Sequence, residues 1–152
     1  MDNTNPTAAV VLAGQGRAFP TGRSQAHVKI EPGQSPGFAA FEAIQEPGLT
    51  GPPRHVHRDY DEAWFVSKGR MEFELGDDTH LCPAGSMVSA PRGTAHTFHN
   101  PGPDPARMLA ILTPQALQLI EELGRLTADG PPTTTALRSL LARHETFSFE
   151  HR

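Results

Sequence analysis

Apolar and polar positions alternate with a period near two over several short segments, which marks half-buried strands because successive strand side chains point to opposite faces. Ala8 to Leu12, Ala26 to Glu31 and Phe38 to Gln45 have this character. Stretches such as Pro32-Gly33-Gln34-Ser35-Pro36-Gly37 punctuate them. After the turn-rich stretch Pro47 to Pro53, strand segments recur at Glu62 to Val66, Met71 to Leu75, Thr79 to Leu81, Met87 to Ala90, Ala95 to His99 and Met108 to Leu112. Short strands at intervals of about ten residues predict an antiparallel sandwich or barrel.

The period changes at Pro114. Thr113 as N-cap, Pro114 at the first helical position and Leu117, Ile120, Leu123 and Leu126 at spacings of three predict an amphipathic helix ending near Asp129-Gly130-Pro131. Leu137, Leu140 and Leu141 share one face of a second helix from Thr135 to His144, and Phe147 and Phe149 then alternate as a short terminal strand. These helices are expected to pack on the outside of the β-domain or on a partner subunit. The organisation read from the chain is a loose tail over 1–7, a β-barrel over 8–112, and a C-terminal helical segment with a short strand over 113–152.

A chain of 152 residues is one domain's worth. Hydrophobic residues at 37%, charged residues at 20%, and abundant Gly (14) and Pro (15) fit a soluble domain of short strands and tight turns. Thirteen Lys and Arg against 17 Asp and Glu give a net charge of −4 with the basic residues scattered, which argues against nucleic acid or an anionic membrane as partner. The longest apolar runs, Val10-Val11-Leu12 and Met108 to Leu112, are far below a membrane span, and the N-terminus lacks a signal peptide's positive flank. A cytoplasmic location is expected. Cys82 is the single cysteine, so no intrachain disulfide and no cysteine-built zinc or iron–sulfur site can form.

Eight histidines stand out from this background. His55 and His57 are two apart, so in an extended segment both rings point to one face and can converge on one ion. Glu62 follows a polar bend and opens the next strand with a carboxylate. In the segment Gly93 to Asn100, His96 and Phe98 share a face and His99 takes the other, which makes His99 a poor ligand. Three imidazoles and one carboxylate suit Fe, Mn, Co, Ni, Cu or Zn and leave positions open on an octahedral ion for water or substrate. His27, His80, His144 and His151 read as surface or hydrogen-bonded histidines. Two other motifs carry less. Gly33-x-Ser35-x-Gly37 has the form of a nucleophile elbow, but Pro36 has no N–H to offer an oxyanion, so the stretch reads as a turn. Gly14-Gln15-Gly16 lacks the third glycine of a dinucleotide site.

The spacing of the whole set is more specific than any pair. His55-x-His57, four residues, Glu62, six residues, Gly69 is followed by Gly85, five residues, Pro91-x-Gly93, two residues, His96, three residues, Asn100. In this the chain resembles the cupin superfamily, whose motifs are G-x5-H-x-H-x3–4-E-x6-G and G-x5-P-x-G-x2-H-x3-N. The second motif is matched throughout and the first except at its leading glycine, where Leu49 stands between Gly48 and Gly51. The resemblance covers about Pro36 to Leu112 and implies a double-stranded β-helix (jelly-roll) barrel. It also implies that His55, His57, Glu62 and His96 ligate one divalent metal, with Gly69, Gly85, Pro91, Gly93 and Asn100 at turns and strand ends. Asp59 and Asp61 are rival carboxylates: Asp59 sits in the bend, and Asp61 faces away from Glu62.

Parity also proposes a pocket. Trp64 and Val66 share the face of Glu62, Phe98 shares that of His96, and Met71, Phe73 and Leu75 form the apolar face of the next strand. Val66, Phe73 and Leu75 read better as barrel core. Trp64, Met71 and Phe98 are the candidate substrate contacts, with Trp64 foremost, for a hydrophobic or aromatic small molecule. The resemblance is to small bacterial cupins related to quercetin dioxygenases, in which Glu62 would also serve as catalytic base. A redox-neutral cyclase or isomerase of polyketide-type metabolism and a non-catalytic binding module are the alternatives. Edge strands and the leucine-rich helix together suggest a homodimer.

Overall fold

The computed structural model describes residues 8–22, 24–49 and 51–148. Tail residues 1–7, Phe149 and His151 lie outside the described residues. Eleven strands and two helices follow one another: β1 Arg17–Thr21, β2 Ser24–Ile30, β3 Ala39–Gln45, β4 His55–His57, β5 Glu62–Lys68, β6 Arg70–Leu75, β7 Asp78–Pro83, β8 Met87–Ala90, β9 His96–His99, β10 Ala106–Leu112, α1 Pro114–Thr127, α2 Thr134–Arg143 and β11 Thr146–Ser148. Every pairing is antiparallel, and the strands form a six-stranded sheet in the order β1-β2-β3-β10-β5-β8 and a five-stranded sheet in the order β11-β4-β9-β6-β7.

The strand alternation is realised as burial. Along β10, Ala106, Met108, Ala110 and Leu112 are buried while the residues between them are partly exposed. Met108, Val28, Phe41, Val66, Met71 and Phe73 belong to one core cluster that fills the space between the sheets. The turn residues stand where the spacing put them: Gly69, Gly85 and Gly93 take left-handed φ of 72°, 94° and 81°. Asn100, 1% exposed, clamps a strand end by donating from Nδ2 to the carbonyls of Gln45 and Asp104 and accepting from Gly102 N–H.

One expectation is corrected. Ala8 to Leu12 forms no strand, and Val10 and Leu12 are 84% and 59% exposed. The apolar run has no partner strand; its end is held instead by Lys29 Nζ, which donates to the carbonyls of Leu12 and Gln15. The first strand is β1, where Phe19 enters the core. α1 lies along β1 with Leu117 buried and Ile120 packed against the core, while Leu123 and Leu126 stay partly exposed.

Both helix starts are capped as side-chain chemistry dictates. Thr113 accepts from Ala116 N–H with Pro114 in the first turn, and Thr133 accepts from Ala136 N–H. Among the described residues no helix is long and apolar enough to cross a membrane.

Candidate metal centre

β4 supplies His55 and His57, β9 supplies His96 and β5 supplies Glu62. His55 sits directly opposite His96 in the ladder between β4 and β9. The three histidines thus belong to the five-stranded sheet and Glu62 to the six-stranded one, and their ligand atoms all lie within 4.8 Å of one another. Nε2 of His55 and of His57 are 3.2 Å apart, while Glu62 Oε2 lies 3.2 Å from His57 Nε2 and 3.0 Å from His96 Nε2. All four side chains are buried, with His55 (8%) and Glu62 (7%) keeping the most exposure.

Local packing aims these strands. Gly93 N–H donates to the His57 carbonyl, tying the turn before β9 to the end of β4. Before β4, Gly51 N–H donates to the Phe98 carbonyl at 2.8 Å, and a Cβ on Gly51 would lie 2.5 Å from that oxygen. The close approach is made by Gly51, two positions beyond Leu49, whose own carbonyl accepts from Asn100 N–H. A non-glycine residue at the motif's leading position therefore leaves the turn intact.

The second nitrogen of each imidazole is also occupied. Nδ1 of His55 faces the Pro53 carbonyl and Nδ1 of His96 the Thr94 carbonyl, each at 2.9 Å, and Nδ1 of His57 faces Thr146 Oγ1 at 2.8 Å. A carbonyl only accepts, so His55 and His96 carry a proton on Nδ1 and turn Nε2 lone pairs toward the cluster. These two nitrogens and the Glu62 carboxylate are acceptors facing one another, which only a cation, or protons in its place, can satisfy. This donor set fits one transition-metal ion.

With protons in the ion's place, Nε2–H of His57 and of His96 donate to Glu62: burial alone would raise its carboxyl, but these bonds outweigh that and hold it at about 2. Burial pushes His55 down to about 4, helped by the neighbouring His96 and His57. The rival carboxylates are elsewhere: Asp61 pairs outside with Arg92 at 2.8 Å, and Asp59 is exposed. His99 likewise turns outward to Glu72, at 3.4 Å.

Of the predicted substrate contacts, Trp64 stands at the cluster and Phe98 stands beside Trp64. The Trp64 ring centroid is 5.4 Å from that of His96 and 5.9 Å from that of Phe98. Met71 is fully buried and stands apart along β6: Leu75 pairs with His96 and Phe73 with Phe98, so Met71 is about 13 Å along the strand from the level of His96. Phe73, assigned to the core from sequence, completes the aromatic group beside Trp64 and Phe98, at 5.4 and 5.7 Å. Sequence reasoning missed Tyr60, whose ring lies 5.4 Å from His57, and Thr146. Tyr60 lies in the bend between two aspartates, and no local pattern joins Thr146 to β4.

The cupin domain family model matches residues 41–112, from within β3 to the end of β10. The chain carries a cupin domain. Quercetin 2,3-dioxygenase of Bacillus subtilis (strain 168) is 33% identical over 91 residues, which are 59% of this cupin and 26% of that protein. Polyketide synthase CurC of Streptomyces cyaneus is 31% identical over 99 residues, 65% of this cupin and 62% of that protein. This cupin therefore spans about a quarter of the first relative and three-fifths of the second. A Cupin 2 conserved barrel domain protein from Salinispora arenicola CNS-205 matches in structure with a TM-score of 0.57 at 16% identity, over 91% of this chain and 99% of that one. At that identity the likeness speaks for the fold.

Proposed function

We propose that this cupin is a metal-dependent dioxygenase acting on a hydrophobic or aromatic small molecule. The observation that carries the reading is the buried convergence of His55, His57, Glu62 and His96 from two sheets onto one point. The similarity to quercetin 2,3-dioxygenase supports the reaction class. The ion, one of Fe, Mn, Ni, Co, Cu or Zn, would be held by the three Nε2 atoms and the Glu62 carboxylate, and would supply Lewis-acid and redox chemistry. The residues contribute the rest. Trp64 offers an aromatic face beside His96 on which a flat ring can stack, and Phe98, packed beside Trp64, helps to exclude water. Glu62, the one charged ligand, accepts the proton of a substrate hydroxyl or acidic C–H on Oε.

A second reading is favoured by the more complete match to polyketide synthase CurC. Here the protein would be a redox-neutral cyclase or isomerase on a polyketide-type substrate, using the same base. One experiment separates the two. The metal-loaded protein is offered flavonols, diketones and polyketide phenols under labelled oxygen and under argon. Label in the product supports the dioxygenase; equal turnover under argon supports the cyclase. No turnover with a demonstrably filled site supports a binding module.

The proposal includes a cytoplasmic homodimer. The ground for association is the partly exposed Leu123 and Leu126 of α1 together with the exposed pair Phe65 and Met87, which face each other across β5 and β8. Light scattering at micromolar concentration should give twice the chain mass, and a monomer there would refute the dimer.

A further inference from the structure

Thr146 belongs to none of the ligand positions, yet it is 2% exposed and its Oγ1 stands 2.8 Å from His57 Nδ1. A hydroxyl has one proton, and that of Thr146 goes to the His144 carbonyl at 3.1 Å. Oγ1 is left as an acceptor toward His57. The proton of His57 must then sit on Nδ1, and the lone pair on Nε2, the atom that faces His55 and Glu62. His55 and His96 are oriented by carbonyls two residues before them, at Pro53 and Thr94. His57 takes its partner from 89 positions further along the chain.

The segment that brings this hydroxyl is anchored at each step. β11 pairs with β4 so that Thr146 lies opposite His57 and Phe147 opposite Val56. Glu145, at φ 50°, turns the chain out of α2; its carbonyl accepts from Arg58 N–H, and its carboxylate pairs with the Arg58 guanidinium at 2.9 Å. His144 Nε2 reaches Glu122 of α1 at 3.3 Å, so both helices bear on the strand's position. We infer that Thr146 is a positioning residue for His57, and that the segment α1-α2-β11 is a working part of the metal centre. The inference rests on the reading of the four residues as metal ligands.

The test uses the full chain as wild type, Thr146→Val and Thr146→Ser. Each is stripped of metal and titrated with Co(II) against a chromophoric chelator, and the visible absorption of the bound ion is recorded. Valine keeps the shape and removes the acceptor, so affinity should fall by about 10–100-fold and the Co(II) bands should move. Serine keeps the acceptor and should restore both. Wild-type affinity and bands in Thr146→Val would overturn the inference while leaving the metal reading standing. Failure of the wild type itself to bind Co(II), Zn(II), Mn(II) or Fe(II) would overturn the metal reading and the inference with it. Should Thr146→Val fail to fold, Zn(II)-loaded wild type decides by nitrogen-resolved NMR. His57 should then show an Nδ1 proton in slow exchange and close to Thr146. A bare Nδ1, or exchange as fast as at exposed His80, would refute it.

Discussion

At the scale of single residues, side-chain parity was the most legible feature, because it is local: once a segment is extended, every second residue must share a face. That rule sent His55, His57, Glu62 and Trp64 inward and Asp61 and His99 outward, where Asp61 meets Arg92 and His99 meets Glu72. It does not say how far along a strand a residue lies from a site on another strand, which depends on register. Met71 and Phe73 have the same parity, yet the pairing of Phe73 with Phe98 puts Phe73 at the aromatic group and leaves Met71 in the core beyond it. The division of labour within the ligand set follows from charge. Three neutral imidazoles define one side of a coordination sphere, so Glu62→Gln should keep most of the bound metal. A carboxamide cannot take a proton, and turnover should fall by about 100-fold or more, the usual scale for a lost general base. Metal content and turnover rate measured on the same sample check this. Full activity with full metal would remove Glu62 from the role of base.

At the scale of elements, signals carried by a few neighbouring residues were readable and those carried by distant partners were not. The N-cap Thr113 with Pro114 announced α1, and α2, capped by Thr133, begins at Thr134, one residue before the expected start. Ala8 to Leu12 alternated well enough to suggest a strand, but a strand exists only where a neighbour accepts its hydrogen bonds, and here none does. The pairing of β11 with β4 shows the other side: Phe147 marked a terminal strand, but nothing local said that the two helices return it to the edge at β4. Packing of α1 on the barrel makes a sharp prediction. A Cβ on Gly124 would lie 1.9 Å from the carbonyl oxygen of Pro20, which is backbone and cannot swing aside. In an isolated helix, alanine for glycine is favourable by about 1 kcal/mol. Here the clash should dominate, forcing α1 off β1 and destabilising the protein by a net ~2 kcal/mol, in the range of other overpacked cores. For a domain of this size that corresponds to a fall in Tm of roughly 4–8 °C. Calorimetry of Gly124→Ala checks it, and an unchanged or raised Tm would show that α1 is free to shift.

At the scale of the whole molecule, the ligand set ties one sheet to the other, since Glu62 and the histidines come from opposite layers. An ion bound there has no counterpart in the unfolded chain, so at a free concentration about 100 times its Kd it should add roughly 2.7 kcal/mol of stability. Chelation should lower the Tm of a metal-loaded sample accordingly. Without metal, the same cluster makes the fold sensitive to acid, and the sign follows from where the protons bind. His55 has its pKa pushed from 6.5 in the free side chain to about 4 in the fold. Between those values the unfolded chain binds the proton that the folded chain refuses. Stability is therefore complete above about pH 6.5 and lost as pH falls toward 4, by about 3 kcal/mol in total from this group. Glu62 adds a second loss in a lower window: its carboxyl is depressed from 4.5 to about 2, so its contribution is present above 4.5 and disappears as pH falls through 2. The metal-free protein should thus lose stability in two steps, and His55→Gln, which cannot titrate, should flatten the upper one while leaving the lower. Urea denaturation of metal-free wild type and variant at half-unit steps from pH 7 to 2 reads this directly. Equal slopes in the two proteins would mean that burial at β4 does not set the protonation of His55.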